Sequence, residues 1–463
     1  MSTISQTIAD FVAGVTFDSL PEETVAEAKR FLYDSLGCAF GGTAARDLQI
    51  AREVFLGLGG TEEATVIGCG TRTSAPTAAF LNSLMVRALD FNDVYWKQDP
   101  SHPSDLIPAA LALGERVGAS GRDVVTAIIL GYEFEMRLCE VAFPGIRERK
   151  WHHATFTQFA SAIMASKILG LNPAQIAHAI GISGAHNYTV GAVAAGKLTM
   201  MKNAADPFAV HSGVMAALLA EKGFEGPDHI LDGKEGLKDA FGGKWNLDVL
   251  VEGLGVDYRI HQCAMKAFPV EGLAHSTLSA VLNIAAEMDL WPEEVKSVDV
   301  ETIARAVDIL ADPSKYKPTT RETADHSLPF CIASAIMDKG LTPASFVKER
   351  LGSKRLQVMM DKITITANAD FEKLFPDMQP SQVTITAMDG RQKTERVDYP
   401  KGDPRSPMTQ DDLDRKFQGL AGDVITDERR ESIKHTIFDL DNLPKVSDLM
   451  SLCVANTKGP DQP

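Results

Sequence analysis

The sequence predicts a mainly α protein: a large all-α helical domain, from residues 1–262 and 402–463, around a smaller α+β domain at 263–401. Three observations carry this expectation. Apolar residues over the first 260 positions recur at helical spacing in Ala- and Leu-rich stretches. Near Cys263 the texture changes to segments alternating β-branched and polar residues, the pattern of half-buried strands. The loop GDPRSPMT then leads back to helical texture. At 463 residues the chain is also too long for one simple core.

The first helix signal is Ser19-Leu20-Pro21-Glu22, which has capping-box spacing and a proline at the first helical position. Val25, Ala28, Leu32 and Leu36 follow on one face, and Gly37 marks the expected end. LIPAALALGERVGASGRDVVTAIILGYEFEMRLCEVA reads as two helices joined by a Gly-Ala-Ser-Gly turn. FASAIMASKILGLNPAQIAHAIGISGAH repeats the grammar, with Asn172 and Pro173 opening its second helix. The abundance of Ala permits close helix–helix approach, as in a bundle. Farther on, a helix is expected at Ala274–Met288. Strands are expected at Ser297–Ile303, Lys362–Ala367 and Gln382–Ala387. Asp389-Gly390 signals a hairpin into a returning strand at Thr394–Tyr399. The last sixty residues read as a helix pair packing back on the first domain.

Charge and motif content exclude several functions. A net charge of −16 repels nucleic acid and anionic membranes. No apolar run approaches the ~18 residues of a membrane helix. MSTISQTIADFVAG does not read as a secretory signal, so a cytoplasmic location is expected. The six cysteines are scattered without a CxxC pair, which argues against zinc, an iron–sulfur cluster and disulfides. Gly68-Cys69-Gly70 lacks the third glycine of a dinucleotide fingerprint, and no P-loop occurs. GISGAH is not a nucleophile elbow. His152 and His153 are adjacent, so they cannot share a helix face, and no HExxH occurs; a zinc enzyme is not expected.

The stretch ALDFNDVYWKQDPSHPSD is the least core-like in the first half. Its Asp90, Asn92, Asp93 and His102 read either as an acid–base group, with Asp90 orienting the imidazole, or as a capping loop of Asx turns. His152, His153, Lys202, Lys266 and His275 also stand in atypical surroundings: KWHHATF, KLTMMKNAADP and MKAFPVEGLAHS. Converging, they would bind a polycarboxylate, because each carboxylate that loses water needs ionic hydrogen bonds. Taken singly, each also reads as an ordinary surface or capping residue. An anionic ligand on so acidic a chain requires a locally cationic pocket. Lys202 as a Schiff-base lysine stays open.

DFNDVYWKQDPSHPSD resembles the Asp-rich, His-Pro-Ser segment of the 2-methylcitrate dehydratase (MmgE/PrpD) family, which also contains cis-aconitate decarboxylases and an iminodisuccinate epimerase. FLYDSLGCAFGG, GKLTMMKNAADPFAVHSGVMAALLAEKGFEGP, KAFPVEGLAHS, TTRETADHSLPFCIASAIMDKG and YPKGDPRSPMT extend the likeness along the chain in family order. The resemblance implies a helical main domain, an α+β lid over the site, a homodimer, and catalysis without metal or organic cofactor. It puts Asp90, His102, His152, Lys202 and Lys266 in the family's pocket, and Glu271 and His275 among the substrate-binding residues. Family members often carry Thr where this chain has Val94 and Tyr where it has Phe330, so two hydroxyls are lost. Glu271 stands where decarboxylases carry His and leans toward the dehydratase branch. The expected function is a lyase that dehydrates a 2-hydroxy polycarboxylate, best 2-methylcitrate. His102 would move the proton, Lys202, Lys266 and His152 would clamp carboxylates, and one lysine would alternatively protonate the leaving hydroxyl. Decarboxylation of cis-aconitate or epimerisation of a related acid is the alternative. A non-catalytic carboxylate binder or structural dimer is the reading from another class.

Overall fold

A computed structural model describes residues 2–455. Residues 456–463, the end of the expected C-terminal helical segment, lie outside the described residues. Helices hold 57% of the residues and strands 10%, so the protein is mainly α. No helix among the described residues is long and apolar enough to cross a membrane.

The helices are α1 (Ile4–Gly14), α2 (Glu22–Gly42), α3 (Arg46–Gly57), α4 (Ala75–Arg87), α5 (Ile107–Val117), α6 (Gly121–Leu138), α7 (Ala154–Ile168), α8 (Pro173–Ser183) and α9 (Met201–Glu221). Then come α10 (His275–Glu287), α11 (Leu328–Asp338), α12 (Gln410–Ala421), α13 (Asp427–Phe438) and α14 (Val446–Leu452), with shorter turns between. The turn between α5 and α6 works as its residues suggest. Gly118 takes the left-handed conformation at φ 69°, and the Ser120 side chain caps α6. Asn172 caps α8 in the same way.

The start and end of α2 differ from expectation. The Ser19 hydroxyl is already engaged with the Thr16 backbone, closing a 3-10 turn, so α2 begins at Glu22 with Pro21 at its N-cap. Gly37 does not stop the helix. It lies mid-helix where Phe417 of α12 approaches, and a Cβ there would sit 3.1 Å from the Phe417 ring. Phe417 also stacks on Tyr33 at 4.5 Å between centroids. The C-terminal helices are thus bound to α2 by aromatic packing.

At the bundle centre α7 and α9 lie against each other. Gly213 makes this possible, since a Cβ there would fall 2.5 Å from the Gln158 carbonyl. One apolar cluster draws its residues from Ile8–Met265 and again from Met408–Cys453. A second runs from Val270 to Ala387, joined by Trp96.

The second cluster is built on a four-stranded sheet. In chain order, β1 (Asp93–Trp96), β2 (Pro100–Ser101) and β3 (Ala264–Met265) form a small separate sheet. β4 (Val295–Thr302), β5 (Ile363–Ala367), β6 (Ser381–Ala387) and β7 (Gln392–Val397) form the larger one, in the order β7-β6-β4-β5. Only β4 and β5 run parallel. Val295, Val298 and Val300 of β4 and Val383 and Ile385 of β6 are buried, with polar neighbours between them. That alternation is what made the strands legible. α10 packs on β6 and on α11.

Phe417 is 1% exposed, so Phe417→Ala removes a buried ring with little room for collapse. The expected loss is about 3–5 kcal/mol in urea unfolding. Limited proteolysis of that variant is expected to cut first between residues 402 and 455.

Candidate active site

The elements converge where α4 ends. Asp90 follows α4 in the left-handed conformation, φ 50°, which costs a non-glycine residue roughly 1–3 kcal/mol. This backbone turns the carboxylate into a cage of cations from four stretches of chain. Lys266 donates to its Oδ1 at 2.7 Å and to its backbone oxygen at 3.2 Å. Lys202, on the first turn of α9, lies 3.1 Å from Oδ2. Arg87 pairs with Oδ1, and His326 Nδ1 lies 3.8 Å from Oδ2. Arg87 in turn faces Asp105 at 3.6 Å and Asp206 at 3.8 Å. Asp90, Lys202 and Lys266 are all at least 97% buried. Burial pushes the Asp90 carboxyl up, but Lys202, Lys266 and Arg87 together outweigh it and hold it well below the usual range. Burial, and then Arg87, pull Lys202 down.

The loop holding Lys266 is fixed from behind. Lys416 of α12 donates to the carbonyls of Phe91, at 2.7 Å, and Lys266, at 3.0 Å, and pairs with Asp34 at 2.7 Å. The C-terminal helix therefore ties both site-bearing loops to α2.

The histidines divide by tautomer. His102 Nδ1 lies 2.7 Å from the Asp93 carbonyl, which can only accept, so Nδ1 carries the hydrogen. Burial, with Arg87 and Lys266 adding to it, keeps the ring well below the usual histidine range, so it is neutral and Nε2 is a bare lone pair. Asp90 does not orient His102 as expected: its oxygens are taken by cations, and the Asp93 carbonyl does that work. His152 is the converse. Its Nδ1 accepts from the Ala154 N–H at 3.2 Å, and burial followed by His153 lowers its pKa well below 6.5, so Nε2 bears the hydrogen.

His152 and His153 lie ahead of α7 rather than within it, so the helix-face argument against metal does not apply to them. Their rings stand 3.9 Å apart. With Asp206 they form a group close enough to hold an ion. The engaged Nδ1 of His152 and the Arg87 guanidinium 3.8 Å from Asp206 fit that role poorly.

Asp90, His102, His152, Lys202, Lys266 and Glu271 all line one chamber of about 40 Å³. Its wall carries four Lys/Arg side chains against two carboxylates, a cationic interior in a chain of net −16. Glu271 lines the chamber, but one of its carboxylate oxygens is spent accepting from Leu273 N–H at 2.7 Å. Its backbone N–H donates to the Asp325 carbonyl at 3.1 Å. His275 is not in the chamber. It lines an adjoining cavity of about 320 Å³, which shares Val94, Trp96, Lys266 and Gly272 with the chamber, and packs beside Phe268. Phe330 is buried against Phe346 and does not line the chamber, whereas Val94 does. An outer cleft of about 590 Å³ shares Arg147, His152, His153 and Ala194 with the chamber.

Sequence reasoning missed Arg87, Arg147, Asp206 and the Asp325–His326 pair. The signal for the last was available: ADHSLP puts two titratable residues directly before an apolar helix. Arg87 and Arg147 carry no such mark, since an arginine ending a helix or sitting in GIRERK reads as surface.

Residues 6–250 match the profile of the MmgE/PrpD N-terminal domain, and residues 268–440 match that of the MmgE/PrpD C-terminal domain. The chain is 26% identical to cis-aconitate decarboxylase of Homo sapiens, over 100% of this chain and 96% of that protein. It is 24% identical to cis-aconitate decarboxylase of Aspergillus terreus, over 99% and 97%. It is also 24% identical to the mitochondrial 2-methylcitrate dehydratase of Yarrowia lipolytica, over 86% and 80%.

Burial, and then Lys266, push His275 down to about 3, against a usual value of 6.5. The folded protein therefore refuses a proton that the unfolded chain accepts. Stability is unaffected above about pH 6.5 and is lost as pH falls toward 3. Relative to His275→Gln, the wild type is expected to lose on the order of 2 kcal/mol between pH 7.5 and pH 5 in urea unfolding.

Proposed function

The chain belongs to the MmgE/PrpD family, and from that premise we propose that it is a lyase dehydrating a 2-hydroxy polycarboxylate, with 2-methylcitrate as the substrate. The observation that carries this is the bare Nε2 of His102 in a chamber with two buried lysines. Elimination begins with removal of a weakly acidic C–H next to a carboxylate. It requires a base in its unprotonated form, and cations to hold the charge that spreads into the carboxylate. His102 is the base. Lys202, Lys266 and the His152 Nε2–H bind the carboxylates. Two of the three Lys266 donors are committed to Asp90, so Lys202 and His152 carry more of the substrate's charge. Val94, Ala194 and Ile309 form an apolar side of the chamber, suited to a methyl substituent.

Residues 263–401 act in this reading as a lid. The chamber is lined by Lys266, Glu271, Ile309 and His326 from that segment and by His102, His152 and Lys202 from the helical part. It shares Arg147, His152, His153, Ala194 and Ile309 with the outer cleft, the side from which substrate enters in this reading. Closure then excludes water and strengthens each ionic contact.

A second reading is decarboxylation of cis-aconitate, favoured by the decarboxylase relatives matching nearly the whole chain. The family relation also supports a homodimer. Ile50 and Val54 of α3 and Phe208, Met215 and Leu219 of α9 leave an exposed apolar stripe suited to a second copy. Light scattering is expected to give twice the monomer mass of 50.0 kDa.

The test of activity is purified protein with 2-methylcitrate, citrate, cis-aconitate and shorter hydroxy acids, read by mass spectrometry. A conjugated alkene product supports the dehydratase, and carbon dioxide release supports the second reading. Binding in a thermal-shift screen without turnover would leave only a carboxylate-binding protein. Lys266→Ala is expected to cut turnover by well over tenfold, since ~1.4 kcal/mol of transition-state stabilisation is a factor of ten. His102→Asn is expected to abolish turnover and leave the unfolding midpoint near that of the wild type.

A further inference from the structure

We propose that His326, held by Asp325, is the acid that protonates the leaving hydroxyl. The proposal rests on the lyase reading above and assigns the one role it left between the lysines.

His326 stands in ADHSLP, between the short helix Arg321–Ala324 and α11, whose N-cap is Ser327. Its Nδ1 lies 2.7 Å from Asp325 Oδ1. A carboxylate only accepts, so Nδ1 carries a hydrogen and proton exchange is confined to Nε2. His326 lines the chamber beside Lys202 and Lys266. Asp325 is itself immobilised: it is 1% exposed, its N–H donates to the Arg321 carbonyl, and its own carbonyl accepts from Glu271 N–H. The imidazole is therefore held by a fixed carboxylate on the segment 263–401, whereas His102 comes from the helical part.

The other donors in the chamber are poor acids for this step. Lys266 has two donors on Asp90, and both lysines hold charge that the substrate carboxylates need. His152 has one hydrogen, on Nε2, and giving it up would leave an imidazolide anion. His326, protonated on both nitrogens, gives up the Nε2 proton and stays a neutral ring bonded to Asp325. The step then balances. His102 Nε2 takes the proton from carbon, and the C–H pair becomes the second bond of the alkene. The C–O bond breaks with its electrons on oxygen, and the His326 proton completes water. His102 ends protonated and His326 neutral, and exchange with solvent restores both. In this arrangement Asp325 is a positioning residue and His326 a catalytic one.

The test compares the hydroxy substrate with its analogue bearing fluoride in place of the leaving hydroxyl, on the full-length protein. Fluoride departs without a proton, so only the hydroxy substrate needs the acid. His326→Gln is expected to lower kcat on the hydroxy substrate by about 10²-fold or more, with KM within about threefold, and to lower fluoride elimination less than about tenfold. His102→Gln is expected to fail on both. Asp325→Asn is expected to follow His326→Gln, because an amide turned toward Nδ1 favours the wrong tautomer. If His326→Gln does not fold, His326→Asn and Asp325→Asn carry the comparison. Equal losses on the two substrates, no loss on either, or the selective loss appearing in His153→Gln instead would each overturn the assignment. A wild type that eliminates neither hydroxide nor fluoride would overturn the lyase reading itself, which distinguishes the two failures.

Discussion

A single carboxylate, Asp90, holds the centre of this protein together. Arg87, Lys202, Lys266 and His326 reach it from the end of α4, the start of α9, the loop after β3 and the approach to α11. Without it three buried cations would face one another in a low-dielectric interior. Breaking a buried ion pair by removing one partner typically costs about 3–5 kcal/mol, and here one removal takes the paired carboxylate from both lysines. The left-handed backbone at Asp90 belongs to the same logic: local strain is accepted because it aims the carboxylate at Lys202 and Lys266.

That arrangement also explains how an acidic chain handles an anion. The outer cleft is balanced, with Arg147, Lys150, Arg305 and Lys315 facing Glu148, Asp308, Asp312 and Glu372. The chamber behind it carries an excess of positive charge. His102 and His152 do not add to it, because burial keeps them neutral. Lysine and arginine supply charge there, which leaves His102 free to take a proton. The backbone sets the division: a carbonyl opposite His102 and an N–H opposite His152 assign opposite tautomers to similar rings.

Much of the local structure was legible because its causes are local. β4, β5 and β6 follow from alternation and β7 from the Asp389-Gly390 turn signal, although it runs Gln392–Val397 rather than Thr394–Tyr399; α5, α6 and α8 follow from Gly118, Ser120 and Asn172. The boundaries of α2 were not legible. The Ser19 hydroxyl turned back to Thr16, and Gly37 answers to a phenylalanine far away in sequence. The candidate site divides the same way. Asp90, His102, His152, Lys202 and Lys266 stood out as polar seams in apolar sequence, and they do line one chamber. His275 stood out equally but lines the adjoining cavity, and the partner of His102 was misjudged because a backbone carbonyl leaves no trace in residue identity. Arg87 was invisible for the opposite reason, being an ordinary helix-terminal residue until three aspartates from other elements surround it.

The bond from Glu271 N–H to the Asp325 carbonyl makes one body of two loops far apart in the chain. Lys266 stands at one end of that body and His326 at the other. A chimera that imports the KAFPVEG loop from a relative with a different backbone path, while keeping its own ADHSLP loop, would shift Lys266 relative to His326. These two stretches are therefore a single structural unit. Grafting a new specificity onto this scaffold calls for exchanging them together.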